Sequence, residues 1–288
     1  MLKGLFTALI TPFNQDGSID FGAYRALIEL QLKHGVDGLV PVGTTGESPT
    51  LSSSEKDLLI KTAVEMSAGK IPVIAGTGSN STKYAIEATI KARDLGAQMT
   101  LQVAPYYNKP SEEGMYRHFS SIADQTELPM VLYNVPGRSS VNMPVGLILK
   151  LATHPMIVAV KEASGNMNHI LELLSNRPSD FSILSGDDAL TLPMIASGGQ
   201  GIISVASNMF PKEMAELTHL LLDGKISDAI SIHQYLYPFF VNQFIETNPV
   251  PIKTYMAAHG LCQDVVRLPL CELKEENRLK LLSTFSMV

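Results

Sequence analysis

Short apolar, β-rich runs recur along the chain, and stretches with helical signals separate them. Eight runs are predicted as strands: Leu5–Ile10, Gly38–Val42, Pro72–Gly76, Thr100–Ala104, Met130–Asn134, Ile157–Lys161, Ser182–Ser185 and Ile202–Val205. Several are almost continuously apolar, such as Val73-Ile74-Ala75 and Ile157-Val158-Ala159-Val160, as a parallel sheet covered on both faces requires. Between them, Ser52 and Glu55 form a capping box ahead of a helix over Lys56–Met66. Pro211 opens a second predicted helix, Lys212–Leu222, which ends near Gly224. From about Ile226 onward the pattern predicts helix only, punctuated by Pro249, Pro251 and Gly260.

Alternating β and α units fit either a doubly wound sheet or a closed barrel, and eight units favour the barrel. The predicted fold class is α/β, a (β/α)8 TIM barrel over residues 1–224 with a small C-terminal helical domain over 225–288. Chemistry in such a barrel belongs at the C-terminal strand ends.

Composition narrows the function. A net charge of −6 argues against a nucleic-acid partner, because phosphate binding needs clustered Lys and Arg. The N-terminal run breaks at Pro12 without a small-residue cleavage pattern, so it reads as a first strand rather than a signal peptide. No apolar stretch approaches the roughly 20 residues that span a bilayer. Two cysteines, Cys262 and Cys271, suit a reducing compartment, and a cytoplasmic protein is expected. Metal-ligand spacing is not seen, and neither a metal nor another cofactor is expected.

Lys161 is the sharpest chemical signal. It ends an apolar strand whose alternation puts Ile157, Ala159 and Lys161 on one side, toward the barrel interior. Desolvation disfavours a charged lysine and converts it into an amine nucleophile toward a carbonyl. For the lysine taken alone, an ion pair with Glu162 or another acid is the commoner outcome. Neighbouring strand ends shift the balance, since Tyr133 shares the inward parity of Val131, and Thr44, Thr45, Tyr106 and Tyr107 follow other strands. A tyrosine beside an imine can relay protons, although a core tyrosine with a satisfied hydroxyl has the same pattern. Gly43-Thr44-Thr45-Gly46 has the makings of an anion nest. Gly198-Gly199-Gln200-Gly201 precedes its strand and is read as a turn at the opposite end of the barrel. Arg138 is a candidate fork for a carboxylate, or else a surface ion pair. His34, His118, His154 and His169 fall in predicted helices or their exits and are not expected to act as bases.

Six motifs in order carry a resemblance that spans essentially the whole chain: GTTGE at 43–47, PYYNKP at 105–110, YNVPGR at 133–138, KEASG at 161–165, SGDDA at 185–189 and NPVPIK at 248–253. The sequence resembles the dihydrodipicolinate synthase family, among the pyruvate-dependent aldolases that include N-acetylneuraminate lyase. The resemblance implies condensation of pyruvate with L-aspartate 4-semialdehyde, on the diaminopimelate route to lysine. Lys161 matches the Schiff-base lysine, and Thr44, Tyr133 and Tyr107 match a proton relay in which Tyr107 crosses a dimer interface. Thr45 matches the holder of the pyruvate carboxylate, Arg138 the holder of the semialdehyde carboxylate, and Gly186 and Ile203 the walls of the pyruvate pocket. A homo-oligomer is implied, at least a dimer and a tetramer built as a dimer of dimers.

A sugar-acid aldolase with the same lysine is the alternative that the arginine in YNVPGR disfavours. A catalytically silent binding barrel is disfavoured because every motif position is filled. The resemblance also implies an effector pocket involving Ser48, Lys56, Asn80, Tyr84 and Tyr106. Relatives inhibited by lysine place histidines where this chain has Ser53 and Lys56 and a glutamate where it has Tyr84. Weak or absent inhibition by lysine is therefore expected.

Overall fold

The computed structural model describes residues 1–285. Its strands are β1 (Gly4–Ala8), β2 (Gly38–Val40), β3 (Ile74–Gly76), β4 (Met99–Val103), β5 (Met130–Asn134), β6 (Ile157–Glu162), β7 (Ser182–Ser185) and β8 (Gly201–Ser204). They pair in parallel in the order β2-β1-β8-β7-β6-β5-β4-β3. A parallel bridge between Leu39 and Val73, with the Leu39 amide donating to the Pro72 carbonyl at 3.0 Å, returns β2 to β3 and closes the barrel. The predicted (β/α)8 TIM barrel is therefore the fold.

The crossover helices are α1 (Phe21–Lys33), α2 (Ser53–Ser67), α3 (Thr82–Asp94), α4 (Glu112–Thr126), α5 (Pro136–Ser139), α6 (Val145–Leu151), α7 (Met167–Asn176), α8 (Thr191–Ala196) and α9 (Pro211–Leu222). Helix α2 begins where the capping box predicts: the Ser52 hydroxyl accepts from the Glu55 amide while the Glu55 carboxylate accepts from the Ser52 amide. Pro211 occupies the first turn of α9, where its missing amide hydrogen costs no hydrogen bond. Three further helices follow, α10 (Ile226–Asn242), α11 (Val250–Ala258) and α12 (Glu275–Leu282). Their apolar residues Leu236, Phe239, Ile252, Met256 and Leu281 join the cluster that also contains Leu5, Leu9, Leu27 and Ile28. This packing lays the chain after α10 beside the barrel mouth.

One expectation about β6 is corrected. Ile157 does not share the interior face with Ala159 and Lys161 but packs in the layer between sheet and helices, with Met130 and Leu132. The cause is a register shift in the β5–β6 ladder, where Met130 pairs with Ile157 but Val131 pairs with Ala159. The extra residue, Val158, leans on the interior cluster, and simple alternation resumes only at Ala159. Lys161 therefore still faces inward.

Candidate active site

Lys161 lies at the C-terminal end of β6, in register with Tyr133 on β5 and Leu184 on β7. Only 5% of it is exposed, and its Nζ sits 4.4 Å from the centroid of the Tyr133 ring. Among the described residues it makes no ion pair. Glu162 points to the other face, where its carboxylate accepts from the Asn134 side-chain amide (3.0 Å) and the Ser164 backbone amide (2.7 Å), with His169 Nε2 at 3.4 Å. The ordinary alternative for a buried lysine, pairing with the acid beside it, is thus not taken. Gly186 is required at the end of β7, because a Cβ there would stand 3.0 Å from Lys161 Cε and 2.7 Å from the Ala163 Cβ.

The loop after β2 holds Thr44 and Thr45. Val42 enters it with φ +59° and Glu47 leaves it with φ +55°. Left-handed backbone is costly for a β-branched residue, and such strain concentrates where a site over-determines the chain. Turn hydrogen bonds use the amides of Gly46, Glu47 and Ser48, leaving those of Thr44 and Thr45 without a partner among the described residues. Two free amides beside a buried Thr45 hydroxyl suit a carboxylate. Glu47 anchors the loop by accepting from Lys253 on α11 and from the Arg267 amide.

These groups converge on a cavity of about 160 Å³. Of the sequence-derived site residues, Lys161, Tyr133, Thr44, Thr45, Arg138 and Gly186 line it. Arg138 forms no ion pair with a carboxylate among the described residues. One of its terminal nitrogens donates to the Asn248 carbonyl at 3.2 Å, leaving the rest of the guanidinium fork to a ligand. Two residues stand apart. Ile203 is wholly buried in the interior cluster with Tyr133 and Leu184 and does not reach the cavity wall. Tyr107 is 89% exposed with φ +71°, outside the cavity of its own chain.

Asn248 was not singled out from sequence, although it opens the NPVPIK motif. Its amide donates to the Thr45 hydroxyl at 3.0 Å, so one residue braces both Thr45 and Arg138. Asp187 and Phe244 line the cavity and were also missed. Asp188, next to Asp187, is fully buried and faces away, accepting from the amides of Val205 and Ala206 and from the Gln243 side chain. Burial pushes its carboxyl above the usual range against those donors.

Ser48, Lys56, Tyr84 and Tyr106 line a separate cavity of about 440 Å³, together with Ser53, Asp57 and Glu87. Asn80 is not in its wall; its side-chain amide holds the Tyr106 carbonyl at 3.2 Å. Burial lowers the pKa of the half-buried Lys56. Glu55 lies elsewhere, paired with Arg267. Asp57 lies 3.8 Å from Lys91.

A closed barrel that carries an unpaired, inward-facing lysine at its C-terminal strand ends has the frame of an aldolase-type lyase. Residues 1–287 match the model of the dihydrodipicolinate synthetase family, and the chain belongs to that family. It is 49% identical over 275 residues to 4-hydroxy-tetrahydrodipicolinate synthase of Leptospira biflexa, covering 96% of this chain and 93% of that one. The crystal structure of dihydrodipicolinate synthase from Aquifex aeolicus superposes with a TM-score of 0.96 at 44% identity, over 99% and 98% of the two chains. The synthase of Cyanidioschyzon merolae, solved with lysine bound, gives 0.95 at 41% identity over 99% and 97%.

Proposed function

We propose that this protein condenses pyruvate with L-aspartate 4-semialdehyde to 4-hydroxy-tetrahydrodipicolinate, the product for which its relatives are named, as a cytoplasmic enzyme of lysine biosynthesis. The observation that carries this reading is the buried, unpaired Lys161 facing Tyr133 inside a cavity that also presents the Arg138 guanidinium. The Lys161 amine attacks the pyruvate ketone, and the resulting carbinolamine loses water to give an imine. Thr45 and the free loop amides hold the pyruvate carboxylate. Loss of a methyl proton gives the enamine, whose carbon adds to the aldehyde of the second substrate while Arg138 grips its carboxylate. The substrate amine then closes on the imine carbon and frees Lys161.

Tyr133 and Thr44 shuttle the protons, completed by Tyr107 of a second copy. The exposure of Tyr107 and its position outside its own cavity support that role, and with it a homodimer, two of which form a tetramer. A coupled assay with pyruvate and the semialdehyde, run beside N-acetylneuraminate cleavage, tests the reading. Turnover of the first pair without cleavage of the second is expected; efficient cleavage of N-acetylneuraminate would replace it with a sugar-acid aldolase.

A further inference from the structure

We propose that Asp187 is the specificity-determining residue that receives the α-ammonium group of the second substrate. The inference deepens the function proposed above and rests on it.

Lys161 ends the central strand of three, and the cavity wall carries opposite charges on its two sides. Arg138 follows β5 on one side, and Asp187 follows β7 on the other. The carboxylate of Asp187 accepts from the Ala189 amide at 2.9 Å and has no cationic partner among the described residues. Its backbone is fixed at both ends by the Ser185 hydroxyl, which donates to the Asp187 carbonyl at 2.7 Å and accepts from its amide at 3.1 Å. A half-buried carboxylate held this rigidly, lining a substrate cavity without a counter-ion, is poorly solvated, and burial holds its pKa above the usual range. An arriving ammonium would supply the missing charge-assisted hydrogen bonds.

The second substrate has the matching layout. L-Aspartate 4-semialdehyde carries a carboxylate and an ammonium on one carbon, with the reacting aldehyde two carbons away. With the carboxylate on Arg138 and the ammonium on Asp187, the aldehyde is directed between them, toward the nucleophilic carbon built on Lys161. An acceptor sugar has no cation to offer and would leave Asp187 desolvated and unpaired, which discriminates more strongly than any gain in contacts. The ordinary alternative is that Asp187 serves only to cap the 3₁₀ turn at Asp188–Leu190.

Asp187→Asn separates the two roles, because asparagine caps a helical turn as well as aspartate but carries no charge. The probes are the semialdehyde itself and succinate semialdehyde, which lacks the amine. Losing a charge-assisted hydrogen bond should raise half-saturation by the amino aldehyde roughly ten- to a hundred-fold. The succinate semialdehyde concentration that half-inhibits should change by less than about threefold, because that ligand never used the carboxylate. Borohydride trapping of pyruvate by the variant reports whether the fold and the imine site survive. Equal changes for both probes, no change for either, or loss of trapping would each overturn the assignment. Failure of the wild-type enzyme to turn over the amino aldehyde would instead remove the function on which the inference rests.

Discussion

The ammonium of Lys253 lies 2.7 Å from Oε1 of Glu47, and both side chains are wholly withdrawn from solvent. Lys253 also donates to the Thr11 carbonyl at 2.9 Å and sits 4.2 Å from the centre of the Phe13 ring, while the second Glu47 oxygen accepts from the Arg267 amide. Glu47 closes the strained loop that presents Thr44 and Thr45, so the pair ties the substrate loop to α11. Removing one partner of a buried pair strands a charge, at a cost of about 3–5 kcal/mol, whereas removing both strands none. Lys253→Met and Glu47→Gln should each lower the denaturation midpoint strongly and raise the KM for pyruvate. The double variant should recover part of the loss. Strictly additive effects in urea titrations would show that the two residues act independently.

His118 on α4 is buried, with Nδ1 2.9 Å from the Thr82 hydroxyl and Nε2 without a partner. Burial lowers its pKa from 6.5 to about 4. The unfolded chain therefore takes up a proton as pH falls through 6.5, and the folded one does so only near 4. The stability from keeping this ring neutral is complete above pH 6.5 and is lost on acidification across that window, about 3 kcal/mol in all and about 2 kcal/mol of it by pH 5. His118→Phe keeps a ring beside Phe119 and removes the titration. At fixed protein concentration, its stability should fall less between pH 7 and pH 5 than that of the wild type. Identical pH profiles would place the acid sensitivity elsewhere.

If Tyr107 completes the relay of a second copy, mixing inactive Tyr107→Phe with inactive Lys161→Ala should restore activity, because each hybrid dimer contains one site with every group. Complementation is measured after verified subunit exchange. Its absence would mean that the relay closes within one chain.

Lysine should inhibit weakly. In the 440 Å³ cavity, Lys56 projects a half-buried cation where Tyr84 offers no compensating charge, and two like charges about 6 Å apart at an effective dielectric of 20 repel by roughly 3 kcal/mol before screening by salt. Asp57 and Glu87 also face this space, but Lys91 and Lys83 stand 3.8 and 3.9 Å from them. A lysine titration of initial rates at saturating pyruvate should give half-inhibition above a millimolar. Half-inhibition below that would show that those acids receive the ligand.

The barrel was legible because its information is local. Short, near-continuous apolar runs, the Ser52–Glu55 box and Pro211 each act within a few residues, and β5 and β7 begin and end where the apolar pattern does. Ile157 was misplaced because one extra residue in β6 breaks alternation without altering hydrophobicity, and only the ladder with β5 reveals it. Lys161 and Arg138 were legible as charges at strand ends. Asn248 and Asp187 were not, since the first acts through partners 203 and 110 residues away and the second matters only once the cavity assembles. The Glu47–Lys253 pair spans 206 residues and joins two motifs that looked independent in the sequence.

The central claim is that Lys161 is the one amine that condenses with pyruvate. Borohydride reduction in the presence of pyruvate, followed by peptide mass spectrometry, should find a single adduct per chain on the peptide carrying Lys161, and none in Lys161→Ala. Adduct persisting in that variant, or mapping to another lysine in the wild type, would contradict the account.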